Sequence, residues 1–309
     1  MTDNLNTSFA TWLWKNPRIL ATAGWCAPAL KPDPTIVLLY TAFHATGPAL
    51  LQRHEKWKAL RPQDTLYHMV EEREAYEYLI RAGISAVYMT TNAWLEFDRY
   101  RPVDKPKEFN AVMSGRMHPD KRHELAAEVK ALLVMGREQP LWDPPGYTST
   151  VRALLPQATF DYIDMPLMRF AYGRARVGLC LSAVEGACRS GSEMQLCGLP
   201  VVTTRAAGAR LETLNPVYST VVADTPGAVA DAVRMWVSRL PDPSADRNST
   251  LALLRKHRRV GIDLVQSIFD ANHVTVEFEA LLHRRPVRFL DLKDLNMIED
   301  FIDEAANVR

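Results

Sequence analysis

Residues 172–212 read YGRARVGLCLSAVEGACRSGSEMQLCGLPVVTTRAAGARLE, and this stretch decides the fold. The apolar run at 176–181 predicts a buried strand, and a short helix closed by Gly198 comes next. Residues 199–204 then predict a second strand. The order strand, polar loop, helix, strand is typical of an α/β sheet, in which ligands bind at the carboxyl ends of parallel strands.

The polar loop between these two strands carries two glutamates with seven residues between them. The helix start that follows would present free backbone N–H groups and partial positive charge to an anion such as a pyrophosphate. Glu193 also fits a capping box with Ser190, in which it only bonds back to the helix start. The candidate ligand-binding residues of this segment are Glu185, Gly186, Ser190, Gly191, Ser192 and Glu193.

A pair of cations forms a second candidate cluster upstream. Gly115-Arg116 follow a predicted strand at 109–113, and Lys121 lies five residues after Arg116 in a predicted helix that runs to about 131. Two fixed cations near a helix start could bind the phosphates of an anionic ligand. A solvated helix start, with Lys121 beside Asp120, is the alternative.

The remaining chain alternates strands and helices, which predicts a mainly parallel, doubly wound sheet in each of two domains. A strand at 35–43, an amphipathic helix at 66–82 and a strand at 84–89 are expected in the first domain. His44 follows the first of these strands. A polar segment at 102–107 reads as the linker. The predicted divisions are a short first domain at 1–103, a second domain at 104–285 and an acidic helical tail at 286–309.

Composition limits the class of protein. The chain has 309 residues, a net charge of +1 and 47% hydrophobic residues, which favours a soluble globular protein and argues against nucleic-acid binding. Its four cysteines have no metal-site spacing and indicate reduced thiols in the cytoplasm. The uncharged run 35–51 is better explained by a strand and a turn than by a membrane span. The basic run 255–259 is either a solvated helix face or a contact with anionic lipid at the inner membrane face.

The central stretch resembles the nucleotide-sugar-binding half of retaining GT-B glycosyltransferases, the group of glycogen synthases and of the sugar transferases that assemble bacterial lipopolysaccharide and capsule. The family pattern is a Tyr, a strand ending in Ser, Glu-Gly, a second Glu, Gly-x-Pro-Val-Val, and Gly-x-x-x-Glu. The matching residues are Tyr172, Ser182, Glu185-Gly186, Glu193, 198–202, Gly208 and Glu212. The family follows Glu-Gly with a large apolar residue and a second Gly, whereas this chain has Ala187-Cys188-Arg189.

The resemblance implies two Rossmann-like domains facing a cleft and a hexosyltransferase that retains anomeric configuration. It implies that Arg116 and Lys121 bind the diphosphate in place of a metal, so that no cofactor is needed. By the same resemblance Glu185 binds the donor sugar, Glu193 binds the ribose and His44 lies near the reacting sugar. The acceptor would be a glycan, a lipid-linked or another hydroxyl compound. A degenerate member that binds without turnover, or a sugar-nucleotide epimerase, is the alternative.

Overall fold

The computed structural model describes residues 10–14, 16–23, 27, 30–41, 44–138, 143–163 and 167–284. The chain divides into two compact units. The first unit holds the chain up to Leu95 and again from Arg255, and the second unit is Glu96–Leu254. Each unit contains one largely parallel sheet with helices, so the predicted α/β class with two Rossmann-like sheets is confirmed.

The strands and helices are named in chain order. The strands are β1 Ala10–Trp14, β2 Ile19–Thr22, β3 Ile36–Tyr40, β4 Thr65–Val70, β5 Ala86–Tyr88, β6 Phe109–Ser114, β7 Leu132–Met135, β8 Thr159–Asp161, β9 Ala175–Cys180, β10 Val201–Thr204 and β11 Ser219–Val222. The helices are α1 Gly47–Leu60, α2 Arg73–Arg81, α3 Tyr147–Leu154, α4 Met168–Gly173, α5 Arg189–Leu196, α6 Arg210–Thr213, α7 Pro226–Arg239, α8 Pro243–Ala271 and α9 Phe278–Arg284.

The first unit contains a five-stranded sheet in the order β1-β2-β3-β4-β5, in which β1 pairs antiparallel to β2 and the other pairs are parallel. Alternate residues of β3 face opposite sides, as strand geometry requires. Val37 and Leu39 pack with Trp57 of α1, whereas Leu38 packs with Phe269 of α8. The chain from Arg255 onward therefore completes the first unit, which corrects the predicted second domain at 104–285. The predicted tail at 286–309 lies outside the described residues.

The predicted helix at 66–82 is wrong. Residues of its first half form β4, which pairs with β3 on one side and β5 on the other, and only the second half is helical, as α2. The spacing of apolar residues misled because most of β4 is buried, including His68 at 2% exposed, so the strand shows no polar face. Pairing with two neighbours outweighs local helix propensity here.

The second unit contains a six-stranded, wholly parallel sheet in the order β11-β10-β9-β6-β7-β8. Its core is built from side chains such as Val112 of β6, Leu179 of β9 and Val202 of β10. The chain moves outward from β6 to β7 and β8, then returns to the other side of β6 with β9. The two neighbouring strands β6 and β9 thus form the switch point, where α/β sheets bind ligands.

A second predicted helix, which Lys121 opens and which runs to about 131, is also absent. Two short 3-10 turns, Pro119–Lys121 and His123–Ala126, replace it. Arg122 separates them with a left-handed φ of 51°, which a continuing α-helix does not accommodate. Lys121 therefore ends a turn instead of opening a helix. In the parts of the chain that the structure describes, no helix has the length and apolar character needed to cross a membrane.

Asp246 of α8 makes the stability of the second unit depend on pH. Burial raises its pKa to about 8, and the Thr250 hydroxyl, which donates to Asp246 Oδ1 at 3.3 Å, opposes this shift. The pKa of Asp246 is higher in the folded state than in the unfolded state. The contribution of the protonated side chain to the free energy of unfolding is therefore complete below about pH 4 and is lost as the pH rises through about 8. We expect stability to fall by up to about 1.4 kcal/mol per pH unit within that range. Asp246→Asn should flatten the dependence of the urea midpoint on pH; an unchanged slope would contradict this.

Candidate functional site at the switch point

Lys121 and Glu185, a predicted cation and the first predicted glutamate, meet at the carboxyl edge of the second sheet. Gly115 and Arg116 follow β6, and Glu185 follows the neighbouring β9. Lys121 Nζ lies 2.6 Å from Glu185 Oε2, and both side chains are 20% exposed. The site therefore holds a charge-assisted hydrogen bond that remains accessible from solvent.

Backbone hydrogen bonds fix the loop that carries Glu185. The Ala183 amide donates to the Asp120 carbonyl at 3.1 Å, which joins the loops after β6 and β9. The Glu185 amide donates to Ala207 at 2.9 Å, and the Ala207 amide donates back to Ala183 at 3.0 Å. Three consecutive strand exits are thus joined, and the position of Glu185 is set by backbone contacts on both sides.

Arg116 lies at the more exposed side of this group. Its guanidinium is 3.4 Å from the carboxylate of Asp143, and the Arg116 side chain is 43% exposed while that of Asp143 is fully buried. An ion pair at this distance orients the arginine and leaves several of its five N–H donors for another anion. Asp143 had no signal in the sequence because it lies 27 positions from Arg116 in an irregular segment.

Arg122 is a residue that the sequence analysis missed. Its Nε donates to the Leu181 carbonyl at 2.6 Å and its Nη2 to the Thr204 hydroxyl at 2.5 Å, while Nη1 pairs with Asp224 at 2.6 Å. One side chain thereby joins the carboxyl ends of β9 and β10. We assign it the role of holding the sheet edge, and no local pattern could have shown this because every partner is distant in sequence.

The start of α5 differs from the predicted Ser-x-x-Glu cap. The helix begins at Arg189, and Cys188 precedes it in the left-handed region with φ of 48° and makes no side-chain cap. The amides of Gly191 and Ser192 donate to the Cys188 carbonyl at 3.0 and 3.4 Å, so they are engaged inside the helix start. The amides of Arg189 and Ser190 have no acceptor in the described part of the protein and are the ones placed to meet an anion.

Glu193 is held by side chains, and the capping box with Ser190 is therefore wrong. Arg189 Nε donates to Glu193 Oε1 at 2.9 Å, and the Tyr172 hydroxyl donates to Glu193 Oε2 at 3.1 Å. Burial raises the pKa of Tyr172, which keeps this hydroxyl a donor at neutral pH. Glu193 is 4% exposed. Ser114 at the end of β6 hydrogen-bonds Tyr172 at 3.3 Å and extends the network to the switch point.

The glycines of the site differ in what they contribute. Gly186 is buried in the bend before α5. A Cβ at Gly115 would lie 3.6 Å from Lys121 Cδ, an ordinary contact, so this glycine is not sterically required. A Cβ at Gly136, after β7, would lie 2.1 Å from the Gly115 carbonyl oxygen. Gly136 is therefore the glycine that the site geometry requires.

Gly136→Ala is expected to destabilise the second unit by about 1–3 kcal/mol, because backbone must move to admit the methyl group. The same shift displaces Gly115 and with it Arg116. Gly227→Ala is the matched control. Gly227 lies in α7, and a Cβ there would meet only Glu128 Oε2, at the ordinary contact distance of 3.7 Å. Urea denaturation of both variants tests this: equal midpoints for the two would show that Gly136 has room.

His44 belongs to the first unit and not to the unit that holds the other site residues. Its Nδ1 is 2.6 Å from Glu72 Oε1, which also accepts the Ala45 amide at 3.3 Å. Glu72 directly precedes α2, so the histidine is fixed at a helix start. Within the described residues, no group of three or more His, Cys, Asp or Glu side chains is arranged to hold a metal ion.

The chain is similar in structure to several solved glycosyltransferases of the GT-B fold. The Anabaena protein Alr3699/HepE, solved in complex with UDP, is 12% identical over 75% of this chain and 72% of that chain, with a TM-score of 0.58. A Rickettsia africae glycosyltransferase is 14% identical over 78% of this chain and 71% of that one, with a TM-score of 0.55. AviGT4, a glycosyltransferase involved in avilamycin A biosynthesis, is 16% identical over 82% and 70%, with a TM-score of 0.52.

The sequence itself matches no protein-family model, and no curated protein sequence matches it. At these identities the structural similarity establishes the fold, which is that of the GT-B glycosyltransferases.

Proposed function

We propose that the protein is a retaining glycosyltransferase that moves a sugar from a nucleotide-diphosphate sugar to an acceptor hydroxyl without a metal ion. The observation that carries the proposal is the Lys121–Glu185 pair at the switch point, 2.6 Å apart, with Arg116 in the same loop after β6 as Lys121. A cation and a carboxylate in contact suit a ligand whose phosphates need positive charge and whose sugar offers hydroxyl donors. The GT-B neighbours, one of them solved with UDP, support this reading.

In this proposal the positive groups act on the diphosphate. Arg116, Lys121 and the amides of Arg189 and Ser190 would contact the phosphates and stabilise the charge that grows on the leaving group. Glu185 would accept hydrogen bonds from hydroxyls of the donor sugar, and Glu193 from the ribose. The leaving phosphate would help to deprotonate the acceptor in a front-side substitution, with His44 near the reacting sugar. The acceptor would be a glycan, a lipid-linked or another hydroxyl compound.

The experiment is a calorimetric titration of UDP-, GDP- and ADP-sugars and of the free diphosphates into the wild type and into Arg116→Ala/Lys121→Ala. Each lost charge-assisted hydrogen bond is worth about 1.5–3 kcal/mol, so affinity should fall by about 10²–10⁴-fold. The control is Lys130→Ala/Arg234→Ala, which removes two exposed cations of the same unit. A folded wild type that binds no sugar nucleotide or diphosphate, alone or with acceptor, would overturn the proposal.

A binding protein without turnover is the second candidate, favoured by the Ala187-Cys188-Arg189 segment. In the structure, Arg189 of this segment occupies one oxygen of Glu193. Tight sugar-nucleotide binding with neither sugar transfer nor donor hydrolysis, over a broad panel of acceptors, would select this candidate. Interconversion of the donor sugar without an acceptor would instead indicate an epimerase.

A further inference from the structure

Two cysteines meet directly behind the loop that carries Glu185. Cys180 ends β9, Cys188 precedes α5, and both are free and almost fully buried. Hydrogen bonding between the two thiols raises the pKa of Cys180 and lowers the pKa of Cys188, and Cys188 Sγ also lies 3.9 Å from Ser190 Oγ. A Cβ at Gly191 would lie 2.6 Å from Leu214 Cδ2, 3.2 Å from Cys180 Sγ and 3.4 Å from Cys188 Sγ, so both sulfurs pack closely against this one position of α5.

A buried cation without a carboxylate partner accompanies this thiol pair. Arg210 is fully buried, and its Nη2 donates to the Thr204 carbonyl at 2.7 Å. Its Nε and Nη1 have no hydrogen-bond partner in the described part of the chain. A buried guanidinium of this kind favours a nearby anion, and its charge acts on both cysteines.

The surroundings favour ionisation of Cys188 over ionisation of Cys180 or Cys197. The pKa of Cys188 is lowered by the hydrogen bond from Cys180 and by the charges of Arg210 and Lys121, which together outweigh burial and the charge of Glu185. The same hydrogen bond raises the pKa of Cys180, which therefore remains the proton donor. Cys197 provides the contrast: it is equally buried, and burial raises its pKa to about 12. A thiolate beside a cation is the reactive form of cysteine.

We propose that Cys180 and Cys188 form a modification site at which a peroxide converts the two thiols into a disulfide that bridges β9 and α5. The Cys188 thiolate attacks one oxygen of hydrogen peroxide and breaks the O–O bond, which gives a sulfenic acid and hydroxide. The Cys180 sulfur then attacks the Cys188 sulfur, loses its proton and displaces the hydroxyl group as water. Overall, two thiols lose two hydrogens and two electrons, and one peroxide becomes two waters.

The bridge would close a ring around residues 181–187, the segment that contains Glu185 and Gly186. It would join the strand exit to the helix start, in addition to the backbone bond from the Ala207 amide to Ala183. Oxidation should therefore alter the placement of Glu185 against Lys121. This consequence for ligand binding rests on the proposed function, whereas formation of the disulfide does not.

The test uses the full chain with Cys26→Ser, which removes the cysteine outside the described residues. The protein is treated with hydrogen peroxide, quenched and mapped by mass spectrometry. We expect a peptide product with a Cys180–Cys188 disulfide that is 2 Da lighter than its reduced form and that disappears on treatment with dithiothreitol. We also expect Cys188 to react at least about tenfold faster than Cys197. Cys197→Ser should retain the bridge, and Cys180→Ser should give sulfenic or more oxidised Cys188 instead.

Equal reaction of Cys188 and Cys197, or oxidised Cys188 with Cys180 still free in the folded protein, would overturn the proposal. Calorimetry with UDP-, GDP- and ADP-sugars before oxidation, after it and after dithiothreitol then measures the consequence. Binding that is lost on oxidation and returns on reduction ties the bridge to the donor site. A bridge in a protein whose reduced form never binds these ligands counts against the proposed function alone.

Discussion

Glu185→Gln is expected to lower kcat for sugar transfer by about 10²–10³-fold. The amide keeps the size of the side chain but loses the charge that holds Lys121 Nζ at 2.6 Å. The lysine then loses its fixed position, and a donor-sugar hydroxyl loses an anionic acceptor. Steady-state kinetics with the nucleotide sugar that binds in calorimetry measures the effect, and calorimetry separates it from a loss of donor affinity.

The matched control for this variant is Glu108→Gln. Glu108 also forms an ion pair, with Arg174 Nε at 2.9 Å. It directly precedes β6, and Gly115 follows the other end of that strand. The two substitutions therefore remove one paired carboxylate each from opposite edges of the same parallel sheet, Glu108 before β6 and Glu185 after the neighbouring β9. If both variants lose the same activity, the fall reflects lost ion pairing in general, and the assignment of Glu185 to the site is wrong.

Asp64→Ala is expected to lower the free energy of unfolding of the first unit by about 3–5 kcal/mol. The Asp64 side chain is fully buried. It accepts hydrogen bonds from Arg61 Nε at 2.6 Å, from Trp57 Nε1 at 2.9 Å and from the Thr35 amide at 3.0 Å. Removing the carboxylate leaves a buried guanidinium and two buried N–H donors without this acceptor, which costs more than the ion pair contributes.

Asp33→Ala is the control for Asp64→Ala. Asp33 pairs with Arg18 at 2.8 Å, a contact of similar length, but its side chain is 63% exposed. A surface ion pair contributes about 0–1 kcal/mol, so this variant should unfold close to the wild type. Urea denaturation followed by tryptophan fluorescence reports both, since Trp57 lies in the Asp64 cluster. Comparable urea midpoints for the two variants would mean that burial of the aspartate does not determine how much stability its removal costs.

The fold class was predictable because its signals are local. The apolar run at β9, the stop at Gly198 and the strand after Pro200 identify an α/β unit, and the structure confirms each of them. Gly198 has the positive φ of 77° that a helix end of this kind requires. In the first unit, β4 was mistaken for a helix because burial removed the alternation that identifies a strand.

The residue types of the candidate site were also present in the sequence, but their contacts were not. Arg116, Lys121, Glu185 and Glu193 could be chosen from spacing and family resemblance, and their roles toward a ligand remain predictions. Local sequence best supported a capping box of Ser190 and Glu193, but this prediction is wrong, because α5 begins at Arg189 without a side-chain cap. Arg189 and Tyr172 bind the carboxylate instead, since that contact depends on how α4 and α5 pack.

The sequence by itself therefore determined the alternation of strands and helices and the positions of the charged residues along the chain. The tertiary structure alone decided that β6 pairs with β9, which brings together Lys121 and Glu185, 64 positions apart in the sequence. It also decided that Arg122 joins two strand ends, that Gly136 makes room for Gly115, and that Cys180 meets Cys188 beside Arg210. The physical reason is that local conformational preferences depend on a few neighbouring residues. Parallel strand pairing and burial instead bring together segments that are distant in the sequence.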